Sequence, residues 1–245
     1  MPIIKFYLGS VQFDVLFACV EEPKGIFKML KQANLTNSEA FKKLTETSQS
    51  SLLGRVACQN MVNNVPNRQT FQLVLRTVRF WAFQRGIYSI NAGYLGGITI
   101  AVMVAKICQE FPELQPACCL HKFFETYAES SWREPVQMSL SNKYKSSRGG
   151  SLSMHLIEAV NRYSSDAMVV LTPNDQLQNT SYRVSEHNLN IICQELSKAQ
   201  KLLRTMRPSS RILHKPGPFD ESTSTLPGQS PQSSPQEETK EAQVE

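Results

Sequence analysis

One acid near the start of the chain is placed as a metal-binding carboxylate would be. Asp14 lies in the run Val11-Gln12-Phe13-Asp14-Val15-Leu16-Phe17, where Val11, Phe13, Val15 and Phe17 alternate. In a strand that alternation puts the four apolar residues on one face and Asp14 on the other. A carboxylate so placed can hold a divalent cation at the floor of a phosphoryl-transfer site. The other reading is a solvent-facing acid on a half-exposed sheet. A two-metal site needs more than one carboxylate, and no DxD or ExD pair stands near Asp14.

The second group of candidates lies between Arg79 and Gly97. Arg79 falls on the polar side of an amphipathic pattern, Tyr88 follows the end of that pattern, and Gly96-Gly97 opens an apolar run. An arginine can meet phosphate through its planar fork, and a phenol can hydrogen-bond or stack. A glycine at a helix start lets a ligand approach the backbone. The same residues also fit helix–loop–helix packing, with the glycines present for close contact. His121, His155, His187 and His214 are far apart without HxxxH spacing, and the six cysteines form no CxxC pair. A zinc site is therefore not expected. Neither a GxSxG elbow nor a phosphate-binding GxxxxGK[ST] loop occurs, which argues against a serine hydrolase and a Walker-type ATPase.

These residues need elements to hold them. Pro2 to Leu8 and Val11 to Phe17 are β-rich runs separated by Gly9-Ser10, the signature of a tight hairpin. Two strands alone are marginal in water, so this hairpin calls for more sheet. Short Lys-rich helical segments are expected near 23–33 and 37–47. The clearest helix is 68–85, capped by Asn67, with Phe71, Val74, Leu75, Val78, Trp81 and Ala82 on one face. Gln72, Arg76 and Arg79 fall on another face, and Gly86 ends the helix. Further helices are expected at 98–110, 115–130 and 186–206. An exposed loop is expected at 138–151, and Ala167 to Leu171 reads as a short strand stopped by Thr172-Pro173.

Composition bounds the rest. The chain has 245 residues, 26 Lys+Arg and 21 Asp+Glu. Residues 219–245 hold six of the acids and one of the bases, leaving 25 bases and 15 acids, a net of +10, in residues 1–218. A body that basic suits a polyanion, or simply carries a solubilising charge. The segment from Phe219 onward is rich in Pro, Gln, Ser, Thr and Glu and is expected to be disordered. The apolar run Leu95 to Ala105 is too short to span a bilayer. No signal peptide is visible, so a soluble protein with reduced thiols is expected.

Taken in order, these stretches resemble the eukaryotic poly(A) polymerase family. Pro2-Ile3-Ile4-Lys5 and Phe13-Asp14-Val15-Leu16-Phe17-Ala18 are similar to the palm strands that bring in its third catalytic carboxylate. Leu75-Arg76-Thr77-Val78-Arg79-Phe80-Trp81-Ala82, then Arg85-Gly86-Ile87-Tyr88-Ser89, resemble its nucleotide-contacting helix. Gly93-Tyr94-Leu95-Gly96-Gly97-Ile98, His121-Lys122-Phe123-Phe124, and Trp132 with Pro135-Val136 continue the match. Thr172-Pro173 and Gln178-Asn179-Thr180-Ser181-Tyr182-Arg183-Val184-Ser185 close it. The resemblance covers about residues 1–206.

The resemblance implies an α+β fold: a helical central domain of a nucleotidyltransferase at 21–207, a palm remnant at 1–20, and a disordered tail at 208–245. It implies transfer of AMP from ATP to the 3′ end of mRNA, with Mg²⁺ or Mn²⁺ as cofactor. Asp14 becomes the catalytic and metal-binding carboxylate, and Arg79, Tyr88, Gly97 and Ile98 the ATP contacts. RNA and mRNA 3′-end processing factors become the expected partners, the nucleus the expected location, and no membrane contact is expected. The chain departs from the family in several places. Arg79 stands for a lysine, Leu53 and Ile90 stand for two nucleotide-contacting asparagines, and the Ser-, Lys- and Gly-rich segment near 142–151 replaces a tryptophan-aspartate-proline stretch. The paired aspartates and the RNA-binding domain of the family are not matched. The chain is therefore expected to be a partial or inactive form. The alternative is a non-catalytic module binding RNA or protein in 3′-end processing.

Overall fold

The computed structural model describes residues 3–20, 39–140, 152–174 and 176–206. The chain divides into two units, Met1–Met206 and Arg207–Glu245, and every described residue belongs to the first. The elements run β1 (Ile3–Leu8), β2 (Val11–Leu16), α1 (Glu39–Lys42), α2 (Glu46–Asn64) and α3 (Arg68–Gln84). A single 3₁₀ turn (Ile90–Ala92) follows, then α4 (Gly97–Glu110), α5 (Pro116–Ala128), α6 (Leu152–Arg162) and α7 (Glu186–Thr205). This is the expected α+β class. The helix expected near 23–33, residues 141–151 of the expected loop and the tail from 208 lie outside the described residues.

The hairpin forms where the β-rich runs predict it. Gly9 takes φ +61°, a left-handed value that glycine adopts at no steric cost, and β1 pairs antiparallel with β2. Phe6 faces Phe13 across the ladder with ring centroids 5.2 Å apart, and Lys5 faces Asp14. Among the described residues the apolar face meets no core: Val11, Phe13, Val15 and Phe17 are 55, 40, 42 and 50% exposed. Two strands supply no second layer, so alternation puts residues on a face without burying it. Downstream, the Cys19 N–H donates to Ser48 Oγ at 3.0 Å, and Val20 packs with Phe41 and Leu53.

Sequence patterning reads the helical body unevenly. Asn67 caps α3, its Oδ1 accepting from the Thr70 N–H at 3.0 Å. Phe71, Val74, Val78 and Ala82 are buried on its inner face, with Leu75 and Trp81 partly buried beside them. Full burial of a side chain such as Val78 is worth about 1.5–3 kcal/mol. α4 is apolar nearly all round, the pattern of a central helix, and it packs against α2, α3 and α5.

Two expectations are corrected, and two helices were not expected. The helix expected at 37–47 is only one turn, α1, and a long helix, α2, follows it. Sequence patterning missed α2 because its buried positions include Ser48 and Asn60 and its middle holds Gly54. α6 was also missed. Its Ala159 packs against Leu171 and Leu177 rather than against the main core. The strand expected at 167–171 is not a strand. Val170 and Leu171 make isolated bridges to Val136 and Asn179, and a side chain holds much of the segment. Asn179 Oδ1 accepts from the N–H groups of Val170 and Ser181, while its Nδ2 donates to Asp166 Oδ2 and the Met168 carbonyl. Apolar Met168, Val170 and Leu171 are buried there without a sheet.

Candidate functional site

The end of α3, the loop after it and the start of α4 build one small site. Gly86 takes φ +70° and ends α3, its N–H donating to the Phe83 carbonyl at 3.1 Å. The loop then doubles back. The Leu95 N–H donates to the Ile87 carbonyl at 3.2 Å, and Tyr94 N–H to the Ser89 carbonyl at 2.9 Å. That return brings Tyr88 over the first residue of α4. Thr99, in the first turn of α4, donates from Oγ1 to the Thr180 carbonyl at 3.2 Å, which ties the helix start to the loop before α7.

Three of the sequence candidates meet here. Arg79 Nη2 donates to Tyr88 Oη at 2.9 Å, and the guanidinium carbon lies 5.5 Å from the ring centroid. A Cβ at Gly97 would lie 3.1 Å from Tyr88 Oη, closer than ordinary packing permits without a shift. The phenol therefore rests close on the backbone of α4, where any side chain would push it aside by a few tenths of an ångström. Gly96 caps α4 without a side-chain hydrogen bond, so no cap side chain occupies the first-turn N–H groups. Those groups and the positive end of the helix dipole favour an anion. Neither α3 nor the first turn of α4 contains an acid. Ile98 follows Gly97 and is partly buried against the core.

The other candidates are placed differently. Asp14 lies on β2 of the exposed hairpin, opposite Lys5. Among the described residues, no group of three or more His, Cys, Asp or Glu side chains could hold a metal ion. A divalent cation such as Mg²⁺ takes about six oxygens, so Asp14 supplies one ligand and not a site. Leu53 is buried against Phe41, away from solvent. Ile90 packs beside Gly96, its Cβ 3.7 Å from where a Cβ would stand there.

A polar rim was not visible in the sequence. Asn188 Nδ2 donates to the Gly93 carbonyl at 2.9 Å and the Ala92 carbonyl at 3.2 Å, and Arg183 Nη1 reaches Asn91 Oδ1 at 3.5 Å. These contacts join residues more than ninety positions apart. No spacing rule links them, although Gln178 to Ser185 had been singled out as a family stretch. All six cysteines are free thiols. No described helix is long and apolar enough to cross a membrane.

Comparison with known proteins closes the case for the family. Residues 70–215, more than half of the chain, match the poly(A) polymerase central domain. Nuclear poly(A) polymerase 1 of Arabidopsis thaliana is 30% identical over 206 residues, 84% of this chain and 28% of that protein. The poly(A) polymerase of Dictyostelium discoideum is 28% identical over 205 residues, 83% of this chain and 24% of its own length. Poly(A) polymerase pla1 of Schizosaccharomyces pombe is 28% identical over 205 residues, 82% of this chain and 34% of its own. The chain thus spans roughly a quarter to a third of the length of these relatives, 24–34%. With its central domain matched and its helical body built as described, the chain belongs to the poly(A) polymerase family.

Proposed function

We propose that this chain provides the ATP-binding body of a poly(A) polymerase, whose reaction adds AMP from ATP to the 3′ end of mRNA. The observation that carries the reading is the Arg79–Tyr88 hydrogen bond seated on Gly97 at the start of α4. Arg79 would take a phosphate oxygen in place of the Tyr88 hydroxyl, since a guanidinium prefers an anion to a neutral acceptor. The Tyr88 hydroxyl, released, can donate to the nucleotide. Gly97 lets the ligand approach the first-turn N–H groups of α4, and Ile98 offers an apolar contact. The division into a palm remnant at 1–20 and a central domain at 21–207 belongs to the same reading, as do RNA and 3′-end processing factors as partners.

The family uses Mg²⁺ or Mn²⁺, and bound there the ion would neutralise charge on the transferred phosphoryl group. Asp14 is the one residue put forward to touch it. The described residues do not supply the remaining ligands, so no step is derived through the metal. The names of the Arabidopsis relatives favour the nucleus for this chain. The test is direct: titrate the purified chain with a fluorescent ATP analogue. Saturable binding, competed by ATP and weakened by Arg79→Ala, is expected. Absence of binding, or equal binding by the variant, would return Arg79, Tyr88 and Gly97 to simple packing and favour a non-catalytic module.

A further inference from the structure

The outward face of α3 carries large apolar side chains that the nucleotide pocket does not use. Phe80 and Phe83 are each 66% exposed, and Leu73 is 53% exposed. With about 3.6 residues per turn, Leu73, Arg76, Phe80 and Phe83 share one stripe and Arg79 borders it. α3 holds three arginines, Arg68, Arg76 and Arg79, and no acid. Isolated exposed apolar residues need no explanation. Two phenylalanine rings one turn apart, flanked by cations and running up to Arg79, are a patterned surface.

We infer that this face is a stacking platform for single-stranded RNA leading toward the nucleotide site, an inference that rests on the reading above. Phe80 and Phe83 are separated by about 4.5 Å along the helix axis, longer than the roughly 3.4 Å step of a stacked strand and within reach of two successive bases of an extended one. Each ring presents a π-face that any base can stack on, and Arg76, one turn before Phe80, is placed to meet the backbone phosphate beside the first stacked base. Charge decides against a protein groove as the occupant. An amphipathic protein segment needs apolar contacts bordered by mixed charge, whereas every charged residue of α3 is an arginine and the rest of this face is glutamine and threonine, which suits a polyanion.

The test uses the full chain, a short labelled oligo(A) read by fluorescence anisotropy at low salt, and a fluorescent ATP analogue. The double substitution F80A/F83A should weaken oligo(A) binding about 25-fold or more, because each lost base–aromatic stack weakens binding about fivefold at the least. Affinity for the ATP analogue should stay within about twofold, since neither ring lies in the pocket. Arg76→Ala should lower the salt dependence of oligo(A) binding by about 0.7 in log–log slope, one single-strand phosphate contact. F80W/F83W should keep wild-type affinity, with tryptophan fluorescence quenched by the oligomer. Wild-type affinity for oligo(A) in F80A/F83A overturns the platform. So does loss of self-association in that variant with RNA binding unchanged, which would mark a protein interface. If the wild-type chain binds oligo(A) through these rings but binds no ATP, the nucleotide-site reading falls and the platform stands. If it binds no oligo(A), the platform falls.

Discussion

Replacing Arg79 with alanine separates a ligand-binding arginine from a packing one. In the free chain Arg79 makes a 2.9 Å hydrogen bond to Tyr88 and sits 5.5 Å from the centre of its ring, both at the surface. An exposed cation–π contact is worth about 0.5–1 kcal/mol, and an exposed hydrogen bond adds little because water replaces it. Losing both should cost about 1 kcal/mol, a fall in melting temperature of about 2–4 °C for a chain of this size. A charge-assisted hydrogen bond to phosphate is worth about 1.5–3 kcal/mol, so nucleotide affinity should fall about 10- to 150-fold. Thermal unfolding and titration with a fluorescent ATP analogue read the two effects on one preparation. Tyr88→Phe should sit between wild type and Arg79→Ala, since the ring stays and the hydroxyl goes. A melting temperature lowered by well over about 4 °C with nucleotide affinity unchanged would refute the reasoning and mark Arg79 as structural.

Other substitutions probe the scaffold of the same site. Gly97→Ala should leave the melting temperature nearly unchanged, because a gain of up to about 1 kcal/mol in helix propensity opposes the contact at 3.1 Å. It should nonetheless displace the Tyr88 hydroxyl and weaken ATP-analogue binding, and tighter binding would contradict the geometry. Gly93→Ala should destabilise the fold by more than about 1 kcal/mol. The residue sits at φ +76°, and its new Cβ would meet Asn188 Nδ2 at 2.5 Å and the Arg183 carbonyl at 3.0 Å. An unchanged urea midpoint would show that this loop relaxes freely. Asn60→Ala removes a buried 2.7 Å hydrogen bond to the Pro173 carbonyl, 113 positions away. Leaving that oxygen unpaired should cost about 2 kcal/mol, or roughly 4–8 °C, in thermal unfolding.

Local spacing was a good guide wherever one face of an element meets one core. α3 follows from the three- and four-residue recurrence of apolar residues and from the Asn67 cap. α4 follows from its nearly continuous apolar run, and the hairpin from Gly9-Ser10 between alternating residues. It was a poor guide where burial depends on a partner far away in sequence. α2 buries Ser48 and Asn60, which find their hydrogen bonds at Cys19 and Pro173. The apolar segment 167–171 carries the composition of a strand, yet its backbone groups are divided between Val136, Thr180 and the Asn179 side chain rather than joined in one ladder.

The same division runs through the site. The amino-acid sequence by itself determined the chemistry on offer: a cation on the polar face of a helix, a phenol after its end, a Gly-Gly pair at the next helix start, and a basic body with few acids beside them. Residue type and local period settle these, because they depend on neighbours within one or two turns. Only the tertiary structure decided that Tyr88 lies on Gly97 within hydrogen-bonding reach of Arg79, since that depends on a loop folding back on itself. It alone decided that Asp14 stands on an exposed hairpin where, among the described residues, no group of three or more metal-ligating side chains forms, because no local pattern specifies what packs against a sheet face. And it alone left Phe80 and Phe83 in water, because which face of α3 is covered depends on where α4 and α5 pack.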